Sequence, residues 1–342
     1  LRRQRQMCIR DRLFTTTNHQ WILFFTNMGR VYRTKVWQLP EASRDARGGH
    51  VAGLLSFLPE EHITRVMTLR SYDDAKYLLL ATRAGLVKKT QLTAYDSSRQ
   101  AGVIAINFRT DDDELIGAEL CGPDDDVLLI SRKGQAIRFG ADDEQLRPMG
   151  RATSGVTGMK FRGDDELLSM SVIEVGTDED ERFVFTATDG GYAKRTLVSE
   201  YRRQGRGGLG IKAMALSEDR GSLVGGLVVQ EADEVIAIRT SGQLTRSAVA
   251  EVPVKGRSTM GVKFVNVRGK DAVSIIALNP EHEESDDDSQ PGHDEVRGAT
   301  QGGGSGARGG ASDEDASTDE DTAGTVVSDE ASDDAGEHGE QA

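Results

Sequence analysis

The feature that most constrains how this chain folds is a unit of about fifty residues that occurs five times in succession. Each copy opens with a β-rich run, a short turn ending in glycine and a second run: ILFFTNMGRVYR, LLLATRAGLVKK, VLLISRKGQAIR, VFTATDGGYAKR and VIAIRTSGQLTR. The turn glycines are Gly29, Gly85, Gly134, Gly191 and Gly242, spaced by 56, 49, 57 and 51 residues. An arginine with a nearby glycine comes 14 to 17 residues later: Arg44/Gly48, Arg99/Gly102, Arg151/Gly155, Arg206/Gly210 and Arg257/Gly261. An apolar run closes each unit, at 63–69, 115–120, 167–173, 223–229 and 273–278. These runs are rich in Val, Ile, Leu and Phe and are bounded by Gly- and Asp-rich turns, which reads as strands. A unit of this size with room for four strands predicts an all-β chain of propeller blades. One small sheet cannot bury both of its faces, so the blades must stack around an axis. Residues 13–17 (LFTTT) read as the closing strand of an earlier blade, which predicts a six-bladed disc of four-stranded blades over 13–280, five of them complete.

The flanks differ in kind. Residues 1–12 (LRRQRQMCIRDR) carry five arginines and match nothing later; they read either as non-native sequence or as a disordered basic arm. The chain does not begin with Met and is expected to be a piece of a longer protein. Residues 281–342 hold 20 acidic residues against two arginines, Arg297 and Arg308, and no aromatics. Such a segment buries too little apolar surface to offset its ordering entropy, so a disordered acidic tail is expected. It also explains the charge: the chain totals −14, the tail alone −18, and the repeats with their leader +4. Cys8 and Cys121 make neither a disulfide framework nor a metal cluster. No apolar run approaches the length of a membrane span, and a cytoplasmic protein is expected. No nucleophile elbow, P-loop or HExxH occurs, and the six histidines form no metal-spaced pair. The acidic turns at 111–114 and 164–166 fall at one place in successive units and are expected to be structural. The chain is expected to bind rather than transform.

The candidate binding residues are the cations that follow the repeat. Four residues after each turn glycine stands Arg33, Lys89, Arg138, Arg195 or Arg246, with Lys35, Lys88 and Lys194 beside them. The loops add Arg44, Arg47, Arg99, Arg151, Arg206 and Arg257. Charge that recurs with the repeat forms one ring, a path for a polyanion around a rim. The alternative is that each cation pairs with an acidic turn or lays its stem along the sheet. Densest is the stretch 204–210, Gln204-Gly205-Arg206-Gly207-Gly208-Leu209-Gly210, preceded by Arg202 and Arg203. Its glycines allow positive φ and close approach, and amide and guanidinium donors suit phosphate. No recognition helix, zinc finger or stacking aromatic platform is visible, so duplex DNA would be held through its phosphates, with steep salt dependence.

The strings GRVYRTKVWQLPEASRDARGGHVAGLL, TRAGLVKKTQLT, RPMGRATSGVTGM, ATDGGYAKRT and KGRSTMGVKF resemble the C-terminal β-pinwheel of the A subunits of bacterial DNA gyrases. The resemblance implies a disc that wraps duplex DNA around its outer edge. It implies an A2B2 heterotetramer, with a second A subunit plus two B subunits, that introduces negative supercoils using ATP and Mg2+. It implies part of an ATP-hydrolysing type II topoisomerase, with the breakage-reunion tyrosine and the ATP site elsewhere. The family's box, Gln-Arg-Arg-Gly-Gly-Lys/Arg-Gly, is matched at Gln204, Arg206, Gly207, Gly208 and Gly210. Gly205 and Leu209 replace two of its cations, which reads as a supporting contact. The related topoisomerase IV domain, with fewer or degenerate blades and no box, is the nearer alternative; a protein-interaction propeller is the other.

Overall fold

The computed structural model describes residues 16–41, 51–99 and 101–279. The expectations for 1–12 and 281–342, the start of the 13–17 strand, and Arg44, Arg47 and Gly48 lie outside these residues. Thr16 and Thr17 carry no strand.

Each repeat folds as expected into a hairpin and a closing strand, and the second to fifth add a short loop strand, among the described residues. The first holds β1 (Trp21–Thr26), β2 (Arg30–Lys35) and β3 (Ile63–Leu69). The second holds β4 (Tyr77–Thr82), β5 (Leu86–Gln91), β6 (Val103–Ile104) and β7 (Leu115–Cys121). The third holds β8 (Asp126–Ser131), β9 (Gln135–Gly140), β10 (Val156–Thr157) and β11 (Leu167–Ile173). The fourth holds β12 (Arg182–Thr188), β13 (Tyr192–Leu197), β14 (Ile211–Lys212) and β15 (Leu223–Gln230). The fifth holds β16 (Glu234–Arg239), β17 (Leu244–Ala248), β18 (Val262–Lys263) and β19 (Val273–Leu278).

The loop strand does not stay in its own repeat. β6 pairs with β2, β10 with β5, β14 with β9 and β18 with β13, all antiparallel. Four sheets therefore have four strands, the fourth lent by the next repeat, and the fifth has three, β17-β16-β19, among the described residues. The expected succession of five antiparallel blades is present; among the described residues four have four strands and the fifth three, with β17 half-buried to exposed at its outer edge.

Glycine makes the exchange possible at two points, seen between the fourth and fifth repeats. Gly191 ends a three-residue hairpin at φ +78°, its N–H donating to the Thr188 carbonyl at 2.9 Å. Its own carbonyl accepts N–H bonds from Phe264 and Val265 of the next repeat at 2.9 and 3.0 Å. Gly261, at φ +74°, lies so close to β13 that a Cβ would stand 2.5 Å from the Ala193 carbonyl oxygen. The Asp-rich turns brace the hairpins: Asp113 Oδ1 accepts the Ala84 N–H at 2.9 Å and Asp165 Oδ1 the Lys133 N–H at 2.8 Å.

Strand alternation distributes the core between blades. In β1, Leu23 and Phe25 join Leu78, Leu80 and Leu115 of the second blade, while Ile22 and Phe24 pack on Tyr32 and Leu55. Leu79, Leu129 and Ile137 fill the second junction, Leu128, Val184 and Leu223 the third, and Phe185, Val229 and Val273 the fourth. A fully buried side chain of this size contributes about 1.5–3 kcal/mol. β4 and β8 are buried throughout, because the second and third blades are covered on both faces by their neighbours. The closing strands β3, β7, β11, β15 and β19 pack on one another in order. The borrowed strands and the arginine loops before them therefore lie at the opposite, outer sheet edge.

Candidate nucleic-acid interface

The structure separates the expected ring of cations into two groups. Most strand cations are buried and engaged within the fold. Lys88, Lys89 and Lys194 have no exposed surface, and Arg138 and Arg195 are 5% and 6% exposed. Lys89 Nζ donates to the Ala141 carbonyl, pairs with Asp143 at 2.9 Å and lies 4.5 Å from the Tyr77 ring centre. Arg138 bonds Asp126 at 2.7 Å and also Glu179; the Glu179 hydrogen bond outweighs burial and raises the guanidinium pKa. Arg195 donates to the Val252 carbonyl at 2.7 Å, pairs with Glu231 at 2.8 Å and stacks on Phe183. Arg33 lies over Trp21 and pairs with Asp96; Lys35 donates to the His19 carbonyl; Arg246 pairs with Glu234. The cause is geometric: on a strand covered on both faces, every side chain except those at the ends points into a blade junction. The expectation that Lys88, Lys89, Arg138, Lys194 and Arg195 face phosphate is corrected by this burial.

The loop cations are the outward group. Arg99, Arg202, Arg203 and Arg206 are exposed, and Arg151 and Arg257 half-exposed. Each loop is fixed by its neighbours while its guanidinium keeps donors for a ligand. Arg151 Nη1 donates to the Ala94 carbonyl at 3.2 Å, and Arg257 Nη1 to that of Lys212 at 3.3 Å. Arg206 donates to the Gln145 carbonyl and, at 3.2 Å, to that of Thr157. A guanidinium has five N–H donors, so one or two such bonds leave the others for phosphate oxygens. Gln204 docks through its backbone, its N–H donating to the Arg138 carbonyl at 2.7 Å. Arg203 reaches back to Asp126 at 2.7 Å. Gly207 and Gly210 have φ of +76° and +73°, and Gly208 bridges to Met159.

Sequence reasoning missed further exposed cations. Arg109, Arg162 and Arg268 follow Phe108, Phe161 and Val267 at one place in three repeats, a signal present in the sequence. Lys160, Lys212, Lys255 and Lys263 are also exposed. Lys133, Lys160 and Arg162 share a cavity of about 240 Å³ with Leu209 and Gly210. These cations stand beside Leu209, where the 204–210 loop lacks a charge, with Asp165 lining the same cavity and Lys133 paired to Asp164. Cys121 is buried, and burial pushes its thiol up to about 12. Among the described residues no group of His, Cys, Asp and Glu is arranged to hold a metal, and no helix is long and apolar enough to cross a membrane.

A stack of antiparallel blades that exchange a strand with their neighbours, with arginine loops along the outer edge, defines a β-propeller of strand-exchanged blades. The chain belongs to the DNA gyrase C-terminal domain, beta-propeller family, whose model matches residues 20–68, 76–121, 125–174, 182–230 and 233–279. The DNA gyrase A subunit of Streptomyces coelicolor is 61% identical over 275 residues, covering 79% of this chain and 32% of that protein. Its counterpart in Nocardioides sp. is 57% identical over 298 residues, covering 79% and 32%. That of Mycobacterium tuberculosis is 53% identical over 276 residues, covering 81% and 32%. The chain thus spans about a third of these relatives. The C-terminal domain of DNA topoisomerase IV superposes with a TM-score of 0.68 at 23% identity, covering 76% of this chain and 79% of that one. A DNA gyrase A C-terminal domain does so at 0.65 and 24%, covering 77% and 83%. These two likenesses show the fold.

Proposed function

We propose that this chain binds duplex DNA along its outer edge and bends it, as the wrapping domain of a gyrase A subunit. The observation that carries the reading is the arginine loop that recurs at the outer sheet edge in successive repeats, fixed by backbone bonds yet open to solvent. Arg99, Arg151, Arg206 and Arg257 are its main contacts, with Arg202, Arg203, Lys160 and Arg162 around the 204–210 loop. Smooth bending of a 20–30 base-pair site costs on the order of 1–6 kcal/mol, so several weak phosphate contacts must act together. The larger assembly would be an A2B2 heterotetramer in the cytoplasm. ATP and Mg2+ would be used on its B subunits, with strand passage carried out by other parts of the A subunits. High identity to gyrase A subunits favours this over a topoisomerase IV domain.

Titration of the full chain against short duplexes of unrelated sequence, over a series of salt concentrations, tests the reading. The four main loop contacts alone predict that log K falls against log salt with a slope at least as steep as about −3 to −4, the same for every sequence. A flat salt response, or a preference for one sequence, refutes it.

A further inference from the structure

Lys88 and Lys194 occupy the same place in their repeats, three residues after the turn glycine, and neither has exposed surface. Both send Nζ to the same target, the carbonyls of a Gly-Arg pair in the following repeat. Lys194 Nζ donates to the Gly256 and Arg257 carbonyls at 2.8 and 2.6 Å. Lys88 Nζ donates to the Arg151 carbonyl, to that of Gly150 at 3.5 Å, and to Ala105 of its own repeat. The two loops share a local sequence. Gly150-Arg151-Ala152-Thr153 and Gly256-Arg257-Ser258-Thr259 each end in a threonine whose Oγ1 donates to the loop glycine carbonyl, at 2.9 and 2.8 Å.

The third blade differs at both ends of the contact. Its residue three after the turn glycine is Ile137, and the loop it faces is Gly205-Arg206-Gly207-Gly208. All three loops are otherwise docked alike: the carbonyls of Thr153, Gly208 and Thr259 accept N–H bonds from Asn107, Lys160 and Ala215 at 3.2, 2.9 and 3.1 Å. The amine and the threonine thus occur together in two repeats and are replaced together in a third.

We propose that Lys88 and Lys194 are positioning residues for DNA contact: each seats the next repeat's Gly-Arg-x-Thr loop from beneath and holds Arg151 or Arg257 at the outer edge. The 204–208 loop, seated on Ile137 and rich in glycine, is the adaptable one, ordered further when phosphate binds. The role as positioning residues rests on the DNA reading above; the seating of the loops does not.

Hydrogen exchange on the full chain and on Lys88→Met separates the possibilities. The Met149 and Asn107 amides, which bond the Lys89 and Thr153 carbonyls and so hold this loop, should exchange at least ~5-fold faster in the variant, the equivalent of one net hydrogen bond, with 204–208 unchanged. Duplex affinity should fall in Lys88→Met, and the substitution should cost nothing further in an Arg151→Ala background. Unchanged protection of Met149 and Asn107, or losses from the two substitutions that simply multiply, overturns the proposal. Amine labelling of the unsubstituted chain decides the matter without a variant. Lys88 and Lys194 should resist the reagent with and without duplex, while Lys160 and Lys212 label and are shielded by it. Labelling of Lys88 that duplex suppresses makes it a direct contact and refutes positioning. A chain that binds no duplex defeats the DNA reading and the positioning role, while the exchange data still report on seating.

Discussion

Alanine at two equivalent turn glycines measures what strand exchange contributes. Gly191 and Gly242 hold the same left-handed conformation, φ +78° and +83°, so a side chain strains both backbones alike, by about 1–2 kcal/mol. Their surroundings differ. A Cβ on Gly191 would lie 2.2 Å from the Val265 carbonyl oxygen, whereas a Cβ on Gly242 meets nothing within 4 Å. Relief at Gly191 requires the 264–265 segment to move away, breaking the two N–H bonds to the Gly191 carbonyl, worth about 1 kcal/mol each net. It also loosens Val265, 3% exposed, and the edge-to-face contact of Phe264 with Phe185, together about 1–2 kcal/mol. Gly191→Ala is therefore expected to cost about 4–6 kcal/mol and Gly242→Ala about 1–2 kcal/mol. Urea unfolding followed by circular dichroism gives both. Because blades couple mainly to neighbours, the informative quantity is the difference between the variants, not either value alone. Equal losses at the two glycines would show that the exchanged segment contributes nothing to holding the blades together, and the reasoning would fail.

Two further outcomes follow from the placement of the cations. Replacing Arg99, Arg151, Arg206 and Arg257 together by alanine should flatten the slope of log duplex affinity against log salt by about 3–4, at ~0.9 per phosphate contact; an unchanged slope would place the contacts elsewhere. Burial, with Arg151 adding repulsion, pushes Lys88 down to about 7 from its ordinary 10.5, and burial does the same to Lys194, to about 8, with Glu200 opposing and Arg257 assisting. Between these values and 10.5 the unfolded chain binds more protons than the folded one, so this contribution to stability grows as pH rises above 7 and is lost as pH falls toward it. The groups facing Lys88 are Arg151 from the next loop and Tyr95, whose hydroxyl donates to the same Ala105 carbonyl. Denaturant midpoints at pH 7 and pH 9 should separate more in the unsubstituted chain than in Lys88→Met; an equal separation refutes the assignment.

The hairpins and closing strands were legible because their signal is local. A glycine at positive φ ends each turn, and apolar runs mark the strands, so 63–69, 167–173 and 273–278 are strands with the bounds read from sequence. The partner of the loop strand was not legible. Val156-Thr157 is two residues long, carries no register of its own, and pairs with the preceding repeat because Gly155 admits the Val87 carbonyl. The loop arginines were legible as a repeated landmark. Lys88, Lys89, Arg138, Lys194 and Arg195 were read as ligand contacts because a repeated charge looks the same whether it serves a ligand or the fold. Burial on both faces decides between these, and the continuous apolar runs VLLI and YLLLA already carried that information.

That double burial has a consequence for where recognition can evolve in such a stack. A cation on a central strand is enclosed by the next blade and must be matched by carbonyls, carboxylates or rings, as Lys89, Arg138 and Arg195 are. Charge offered to a ligand is therefore confined to segments that leave the sheet, and here those are the same segments that lend the exchanged strand. Arg206 shows the coupling: it sits at the outer edge, yet its guanidinium holds the carbonyls of Gln145 and Thr157 from the preceding repeat. Ligand contact and blade-to-blade cohesion thus draw on one side chain. A phosphate that engages Arg206 would bond the N–H donors that those two carbonyls leave over, and the glycines on either side supply the backbone freedom for the guanidinium to meet it without dismantling the blade.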